Sequence, residues 1–286
     1  MNREMTPSST LLKSNEFNLK PVEIVQLIHQ LVQPLRPSFI ACWLGSALCL
    51  SAAEPWFSIF NGKDLTGWKI VAKENPASAV VEDGMMVLRQ RPETVEHTFV
   101  ASEETYRNFI LELDLKDDPA VNSGILLRCV ESPADARTRL NAYQVKIDDT
   151  PRAWTGGIFD DFGDSWKWMH DLSNNEAGRA AFKLGEWAHF RIECIGETIK
   201  VWVNGVPTCH LVDGKYTKGP IAFKIHSAGK NPKVSQNAIR LKNIRIITEK
   251  PELYLKPMEL PQQQASNGPG KFDKPKPISS PAKQAP

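Results

Sequence analysis

The chain has 286 residues, a formal net charge of +2 and 41% hydrophobic residues. This near-neutral balance, without a basic cluster outside the C-terminal segment, excludes the electrostatic signature of a nucleic-acid-binding protein. The length suits one large or two small domains, once the two ends of different composition are set aside.

The N-terminal segment contains a short apolar run, FIACWLGSALCL, at residues 39–50. It is too short for a stable transmembrane helix, and the small residues after it fit a signal-peptidase site. We therefore expect residues 1–53 to be a leader with a signal peptide, and the mature chain to be exported to the periplasm or cell surface without a transmembrane span. The long segment before the run leaves one alternative, a cytoplasmic extension in which residues 39–50 form a buried helix.

Residues 54–249 show a period of two almost throughout, which is typical of strands with one buried face. Short strands punctuated by glycine, proline and asparagine, without a long amphipathic helix, favour an all-β sandwich or jelly roll. The clearest apolar sets are Phe109, Leu111, Leu113 and Leu115; Ile125, Leu127 and Cys129; Tyr143, Val145 and Ile147; and Ile221, Phe223 and Ile225.

Residues 187–213 predict a three-stranded meander. Gly196-Glu197 forms its first turn, and Asn204-Gly205 lies where a two-residue hairpin turn needs positive φ. Only residues 174–181 suggest a helical turn.

The cysteines after the leader are three in number, Cys129, Cys194 and Cys209. An odd count argues against a disulfide framework, and the meander separates Cys194 from Cys209 by a whole strand. We expect free, buried thiols.

The C-terminal segment, residues 250–286, contains eight prolines and few branched apolar residues. Such a segment cannot bury enough apolar surface to offset the entropy of ordering. We expect a disordered tail.

The polar positions of the predicted strands carry an unusual number of charges. If these strands share a sheet, the side chains line one concave, charged face; the alternative is a solvated face whose ion pairs contribute little to stability. The residues are Glu112, Asp114, Arg128, Gln144, Lys146, Asp148, Lys224 and His226.

Residues 154–170 form a glycine-bearing segment rich in aromatic side chains, Trp154, Phe159, Trp166 and Trp168. Aromatic faces are good platforms for the apolar faces of sugar rings, and loops on rigid scaffolds often carry function. The alternative is a hydrophobic cap on the end of the sandwich.

No metal-binding motif stands out, because the histidines are scattered singly. The acidic pairs Asp148-Asp149 and Asp160-Asp161 offer oxygen ligands for calcium, but such pairs are common in turns. No cofactor is therefore assigned, and a divalent metal, calcium or a transition metal, is the one candidate. The carboxylate pair Glu112 and Asp114 does not complete the pattern of a sandwich glycosidase.

Several motifs, in order along the chain, resemble the 3-keto-disaccharide hydrolase domain family. They are FSIFNGKDLTGWKI at residues 57–70, VEDGMMVL at 81–88, YRNFILELDLK at 106–116, NSGILLR at 122–128, YQVKIDD at 143–149, and GPIAFKIHSAG continuing to LKNIRI. The resemblance implies a concanavalin A-like jelly roll of two antiparallel sheets. It also implies export, and activity on glycosides already oxidised at the 3-hydroxyl by a partner oxidoreductase.

The implied reaction begins with loss of the proton on sugar carbon 2, which the ketone at carbon 3 acidifies. Loss of the carbon 1 substituent and addition of water follow. Such a site needs a base and a positive group facing the enolate oxygen. On the family motifs, His226 is the expected base or a metal ligand, and Arg128 and Lys146 are expected to stabilise the oxyanion. The expected substrate-binding residues are Gln144, Asp148, Glu112, Tyr143, Trp154, Trp166 and Trp168.

Two features depart from the family pattern. In the family, a glutamine usually precedes the late histidine and a glycine follows it, whereas this chain has Lys224 before and Ser227-Ala228 after the histidine. Phe159 stands where a tyrosine is common in the family. A non-catalytic carbohydrate-binding or surface-adhesion module on the same fold is therefore the alternative function.

Overall fold

A computed structural model of the chain describes residues 55–92, 94, 96–132, 140–161, 167–227 and 236–265. The predicted leader, residues 1–53, lies outside the described residues. None of the helices formed by the described residues has the length and apolar content needed to cross a bilayer.

The described residues form two sheets, called sheet A and sheet B. The strands of sheet A are β1 (Phe57–Ser58), β3 (Ser78–Glu82), β4 (Met85–Arg89), β6 (Phe109–Asp117), β11 (Ala188–Ile195), β12 (Thr198–Val203), β13 (Val206–Val212), β15 (Ala238–Ile247) and β16 (Gln263–Gln264). Those of sheet B are β2 (Trp68–Val71), β5 (Thr98–Ser102), β7 (Ser123–Glu131), β8 (Leu140–Ile147), β9 (Ile158–Asp161), β10 (Trp168–His170) and β14 (Ala222–Ile225).

Sheet A has the order β16-β13-β12-β11-β6-β15-β4-β3, with β1 paired to β15, and sheet B has the order β10-β9-β8-β7-β14-β5-β2. Apart from the parallel pair of β13 and β16, the pairings between these strands are antiparallel. Together they form the expected all-β jelly-roll sandwich. A single short α-helix among the described residues, α1 (Glu176–Ala180), begins after Asn175, whose side chain accepts from the Gly178 amide at 2.8 Å.

The main core lies between the sheets and confirms the period-two analysis, except for Cys129, which lies beyond a register shift in β7 and packs in a separate cluster with Leu126. In β6 the alternate residues Phe109, Leu111, Leu113 and Leu115 are fully buried in it. In β8 the core set is Tyr143, Val145 and Ile147. Because successive strand residues point to opposite faces, the intervening polar residues lie on the outer face of each sheet.

The meander has the predicted register. Ile192 pairs with Val201 across β11 and β12, and Asn204 and Gly205 have the positive φ values, 50° and 80°, that the tight turn requires. Cys194 and Cys209 are buried and free, on β11 and β13, with β12 between them, as predicted.

The prediction of a disordered tail is wrong for residues 250–265, which we call the strap. A 3₁₀ helix (Pro251–Tyr254) begins it, and β16 ends it beside β13. The strap is held by polar contacts to the outer face of sheet A: Arg191 Nη2 donates to the Tyr254 carbonyl at 2.6 Å, and the Lys256 amide donates to Glu193 Oε1 at 2.8 Å. Composition suggested disorder because it measures apolar burial, whereas these contacts are hydrogen bonds. Residues 266–286 lie outside the described residues.

Removing the strap should destabilise the sandwich. A chain ending at Glu249 loses the acceptors and donors that Arg191 and Glu193 use, and we expect a loss of about 2 kcal/mol, since hydrogen bonds to charged groups contribute about 1.5–3 kcal/mol. A second truncation, ending at Ala265, is the control and should match the full chain. Urea denaturation of the two truncated chains and the full chain measures the loss; equal midpoints for the two truncations would contradict the role of the strap.

Candidate functional site

A pocket of about 490 Å³, including its open mouth, lies on the outer face of sheet B. Its position follows from β8, where Gln144 and Lys146 alternate with residues of the core. The lining combines aromatic, amide, cationic and imidazole side chains with one carboxylate: His97, Asn122, Gln144, Lys146, Arg152, Phe159, Asp161, Trp168, Lys224 and His226.

The floor of the pocket is made by neighbouring strands of sheet B. Gly124 of β7 pairs with Lys146 of β8 on one side and with Lys224 of β14 on the other. A Cβ on Gly124 would clash with the Gln144 side-chain amide, so only glycine leaves room for that amide where it lies. The Gln144 amide donates to the Ser123 carbonyl at 3.1 Å, which fixes its orientation.

Lys146 is a buried cation held by neutral oxygens. Its Nζ donates to Asn122 Oδ1 at 2.6 Å, to the Ser123 carbonyl at 3.1 Å and to the Ile147 carbonyl at 2.9 Å. Burial, and then the nearby Lys224, lower the pKa of Lys146 to about 8. The ammonium is therefore a positive charge whose hydrogen-bond partners carry no compensating charge.

Lys224 and Asp161 form an ion pair inside the pocket. Lys224 Nζ lies 2.8 Å from Asp161 Oδ1 and 2.9 Å from Oδ2, and both side chains are buried. Burial raises the pKa of Asp161, although the Lys224 ammonium opposes this effect. Removing either partner would leave a buried, uncompensated charge.

The aromatic wall is built around Trp168. Its ring meets Trp154 edge to face at a centroid distance of 5.0 Å and Phe159 at 5.5 Å. The Arg152 guanidinium lies 5.1 Å from the ring centroids of both tryptophans. Trp168 and Phe159 both line the pocket but are largely buried, with 2% and 8% of their surface exposed, so the wall is rigid.

Asp148 holds the guanidinium in place from behind this wall. Its Oδ2 accepts from Arg152 Nε at 2.8 Å, and its Oδ1 accepts from Nη2 at 3.0 Å. Burial alone would raise the pKa of Asp148, but the hydrogen bonds from Arg152 outweigh it, and the pKa is lowered. Asp148 is therefore ionised at neutral pH and positions Arg152.

The two imidazoles of the pocket pack against each other with their planes tilted by 39°. His97 and His226 have ring centroids 3.8 Å apart. The His226 backbone is fixed on both sides, because its amide donates to the Asn122 carbonyl at 3.0 Å and its carbonyl accepts from Gln90 Nε2 at 3.0 Å. The imidazole of His226 is consequently presented at the pocket from a fixed backbone, only partly buried.

The structure brings together four of the residues expected from the sequence: Gln144, Lys146, Trp168 and His226. Two others, Asp148 and Trp154, contact Arg152 without lining the pocket themselves. Trp166 lies outside the described residues.

Arg128 is not in the pocket, which corrects its expected position. Its Nε and Nη2 donate to the Arg107 carbonyl at 2.9 and 2.5 Å, and its Nη1 donates to the carbonyls of Gly196 at 2.8 Å and Tyr216 at 3.2 Å. A φ of 54° and a register shift after Leu127 turn this residue out of the regular alternation of β7. Its guanidinium is surrounded by backbone carbonyls, and its hydrogen bonds link the segments that contain residues 107, 196 and 216.

Glu112 and Tyr143 are also placed elsewhere. Glu112 belongs to β6 of sheet A, where it pairs with Arg191 at 2.8 Å and Arg245 at 2.7 Å on the opposite side of the sandwich. The Tyr143 ring lies in the core between the sheets, and its hydroxyl bonds Asp213. The expected single charged face is in fact two outer faces that point away from each other.

His97, Asn122 and Arg152 had no role predicted from the sequence, and Asp161 was predicted only as a candidate calcium ligand. The alternation in β14 did place Lys224 on the polar face, and Asn122 opens the NSG motif, so these two carried a signal. Arg152 lies between strands, where no periodicity indicates the direction of a side chain.

The pocket does not offer a divalent cation a ready set of ligands. Among the described residues, no three His, Cys, Asp or Glu side chains are grouped as a metal site. Three of the four carboxylates expected for calcium are already engaged, Asp148 by Arg152, Asp160 by Lys215 at 2.7 Å and Asp161 by Lys224. The described residues therefore do not fit such an ion, and no chemical step is derived through one.

Comparison with known proteins gives a family match. The sequence profile of the 3-keto-alpha-glucoside-1,2-lyase-like domain family matches residues 55–247. No protein in a curated set matches.

Comparison with solved structures concerns the fold alone, because the identities are low. A proposed glycosyl hydrolase from Parabacteroides distasonis is 20% identical, with a TM-score of 0.50, covering 68% of this chain and 93% of its own. A Bacillus subtilis protein of unknown function with a galectin-like fold is 13% identical, with a TM-score of 0.48 and coverages of 64% and 90%. The carbohydrate-binding module CBM66 from Bacillus subtilis is 14% identical, with a TM-score of 0.41 and coverages of 62% and 93%.

The placement of Arg128 predicts a stability effect. Arg128→Ala removes a buried side chain and the donor of three carbonyls, those of Arg107, Gly196 and Tyr216, so we expect a loss of about 3 kcal/mol. Urea denaturation checks this, with Arg107→Ala as the control, because the Arg107 side chain is exposed and only its backbone carbonyl is used. A loss no larger than that of the control would show that the guanidinium is dispensable.

Proposed function

The chain belongs to the 3-keto-alpha-glucoside-1,2-lyase-like domain family, and we propose that its sheet B pocket cleaves 3-keto-glycosides by elimination and hydration. Family membership supports a carbohydrate-active protein in general. The specific reaction is argued from the chemistry of the pocket.

The reaction requires a base and a positive field. A base removes the proton on sugar carbon 2, and the electron pair forms an enolate with the carbon 3 ketone. The enolate then re-forms the ketone as the bond from carbon 1 to its substituent breaks; the leaving oxygen keeps that electron pair and takes a proton. Water adds across the resulting double bond, so the overall change is hydrolysis.

The observation that carries this proposal is a buried ammonium facing the same pocket as a presented imidazole. The three N–H groups of Lys146 donate to neutral oxygens, so its charge is not compensated by these partners and would stabilise the enolate through its field rather than through a further hydrogen bond. Lys146 would thus stabilise the oxyanion alone, whereas the sequence predicted that Arg128 and Lys146 share this role. His226 is the proposed base, since an imidazole suits proton transfer near neutral pH.

The remaining lining residues would bind the sugar. Phe159 and Trp168 contribute apolar lining against which the ring would pack, and the amides of Gln144 and Asn122 offer hydrogen-bonding groups for hydroxyls. The same features suit a non-catalytic carbohydrate-binding module, which is the alternative that an activity assay decides.

The proposal includes a supply of substrate and a location. A sugar 3-oxidoreductase must act before this protein, because an unoxidised glycoside lacks the acidified proton on carbon 2. We place both reactions outside the cytoplasm, in the periplasm or at the cell surface, on the basis of the apolar run at residues 39–50.

Replacing the proposed base gives the first test. The protein should release the leaving group from a 3-keto-glucoside, and His226→Asn should lower kcat by about 100-fold or more, because general-base catalysis contributes about 10²–10⁴-fold. His189→Asn is the matched control, since His189 lies on sheet A against Asp114. Absence of release by the wild type, with or without added divalent metal, would favour the binding module; full activity in His226→Asn would remove the base assignment only.

The pH dependence of the rate tests Lys146. The enolate needs the protonated amine, and the pKa of Lys146 is about 8, so kcat/KM should fall as the pH rises above about 8. Lys146→Arg should extend the plateau to higher pH, because a guanidinium stays charged. Lys146→Gln should lower the rate and remove this limb. An alkaline limb that is the same in wild type and Lys146→Arg would assign it to another group.

A further inference from the structure

The pocket holds more positive charge than a single enolate requires. Its described lining residues include three cationic side chains, Lys146, Lys224 and Arg152, and one carboxylate, Asp161. Lys146 serves the enolate in the proposed reaction. Lys224 and Asp161 both line the pocket and neutralise each other there. Arg152 is the cation without an assigned role.

Arg152 differs from Lys224 in where its counter-charge lies. Asp148 binds the Nε and Nη2 edge of the guanidinium but does not line the pocket, whereas Arg152 does. The counter-charge is therefore not part of the pocket lining, and no described hydrogen bond uses Nη1, which leaves that end of the guanidinium for a ligand.

Several contacts fix the Arg152 guanidinium and the backbone that carries it. The tryptophans 154 and 168 flank it at 5.1 Å each, and the Arg152 carbonyl accepts from Arg179 Nε at 3.2 Å. Asp148 is itself fixed, because its Oδ2 accepts from the Trp154 amide at 3.0 Å and its Oδ1 from Thr150 Oγ1 at 3.0 Å. A guanidinium held this firmly binds a carboxylate with little further loss of side-chain entropy.

We infer that Arg152 is a specificity-determining residue and that the glycoside bound in this pocket carries a carboxylate, as a uronic acid does. The carboxylate contacts the Nη1 end of Arg152 beside Trp168, while the sugar ring lies against the aromatic wall. This inference rests on the proposed function for the sugar class and adds the charge of the substituent.

Calorimetric titration of the full chain with methyl glucuronide and with methyl glucoside tests the inference. We expect the glucuronide to bind at least about tenfold more tightly, which is the lower range for a hydrogen bond to a charged group. Arg152→Gln should remove this preference. Arg89→Gln should retain the preference. This substitution removes the same charge at a position away from the pocket, because Arg89 pairs with Glu82 on sheet A.

Equal affinity of the wild type for the two glycosides, or no binding of the glucuronide at millimolar concentration, overturns the inference without reference to how any variant folds. Retention of the preference by Arg152→Gln overturns the role of Arg152. Turnover separates this inference from the proposed function. Cleavage of 3-keto-glucoside without any preference for the uronide refutes the inference alone, whereas a uronide preference without cleavage of either oxidised sugar refutes the proposed function alone.

Discussion

Burying a charged side chain costs free energy unless its hydrogen bonds are replaced, and this constraint shapes the outer face of sheet B. The ammonium of Lys146 replaces its hydrogen bonds to water with hydrogen bonds to three neutral oxygens, those of Asn122, Ser123 and Ile147. Two of these oxygens are backbone carbonyls, so the position of the ammonium is set by the strands themselves. The geometry of the pocket therefore depends on how β7 and β8 pair.

The same constraint explains why the pocket has distinct chemical regions. Lys224 is neutralised beside the floor by Asp161, and Arg152 is balanced by a carboxylate behind the wall. Each cation thus presents a different field to a ligand, even though all three line one cavity. Gly124 contributes by its missing side chain, since the Gln144 amide occupies the space that a Cβ would need.

Sheet A uses its charges differently. Glu112, Arg191 and Glu193 form a buried network on its outer face, and the strap binds this network through the backbone at residues 254 and 256. Charges on one outer face therefore anchor a chain segment, while those on the other line a pocket. A strand pattern of alternating apolar and charged residues is compatible with both outcomes.

The alternation along single strands determined the core, the meander, its turns and the buried thiols, because the period of two and the backbone needs of a tight turn are local properties of the chain. Local patterns also placed Gln144 and Lys146 on a polar face together. Which strands share a sheet is a property of the whole fold, and only the tertiary structure assigned Glu112 to sheet A and Lys146 to sheet B. The register shift that buries Arg128, the loop that presents Arg152 and the strap all depend on contacts between residues far apart in sequence. Such contacts leave no periodic signal, since the side-chain direction in a bulge or loop is decided by the surface against which it packs.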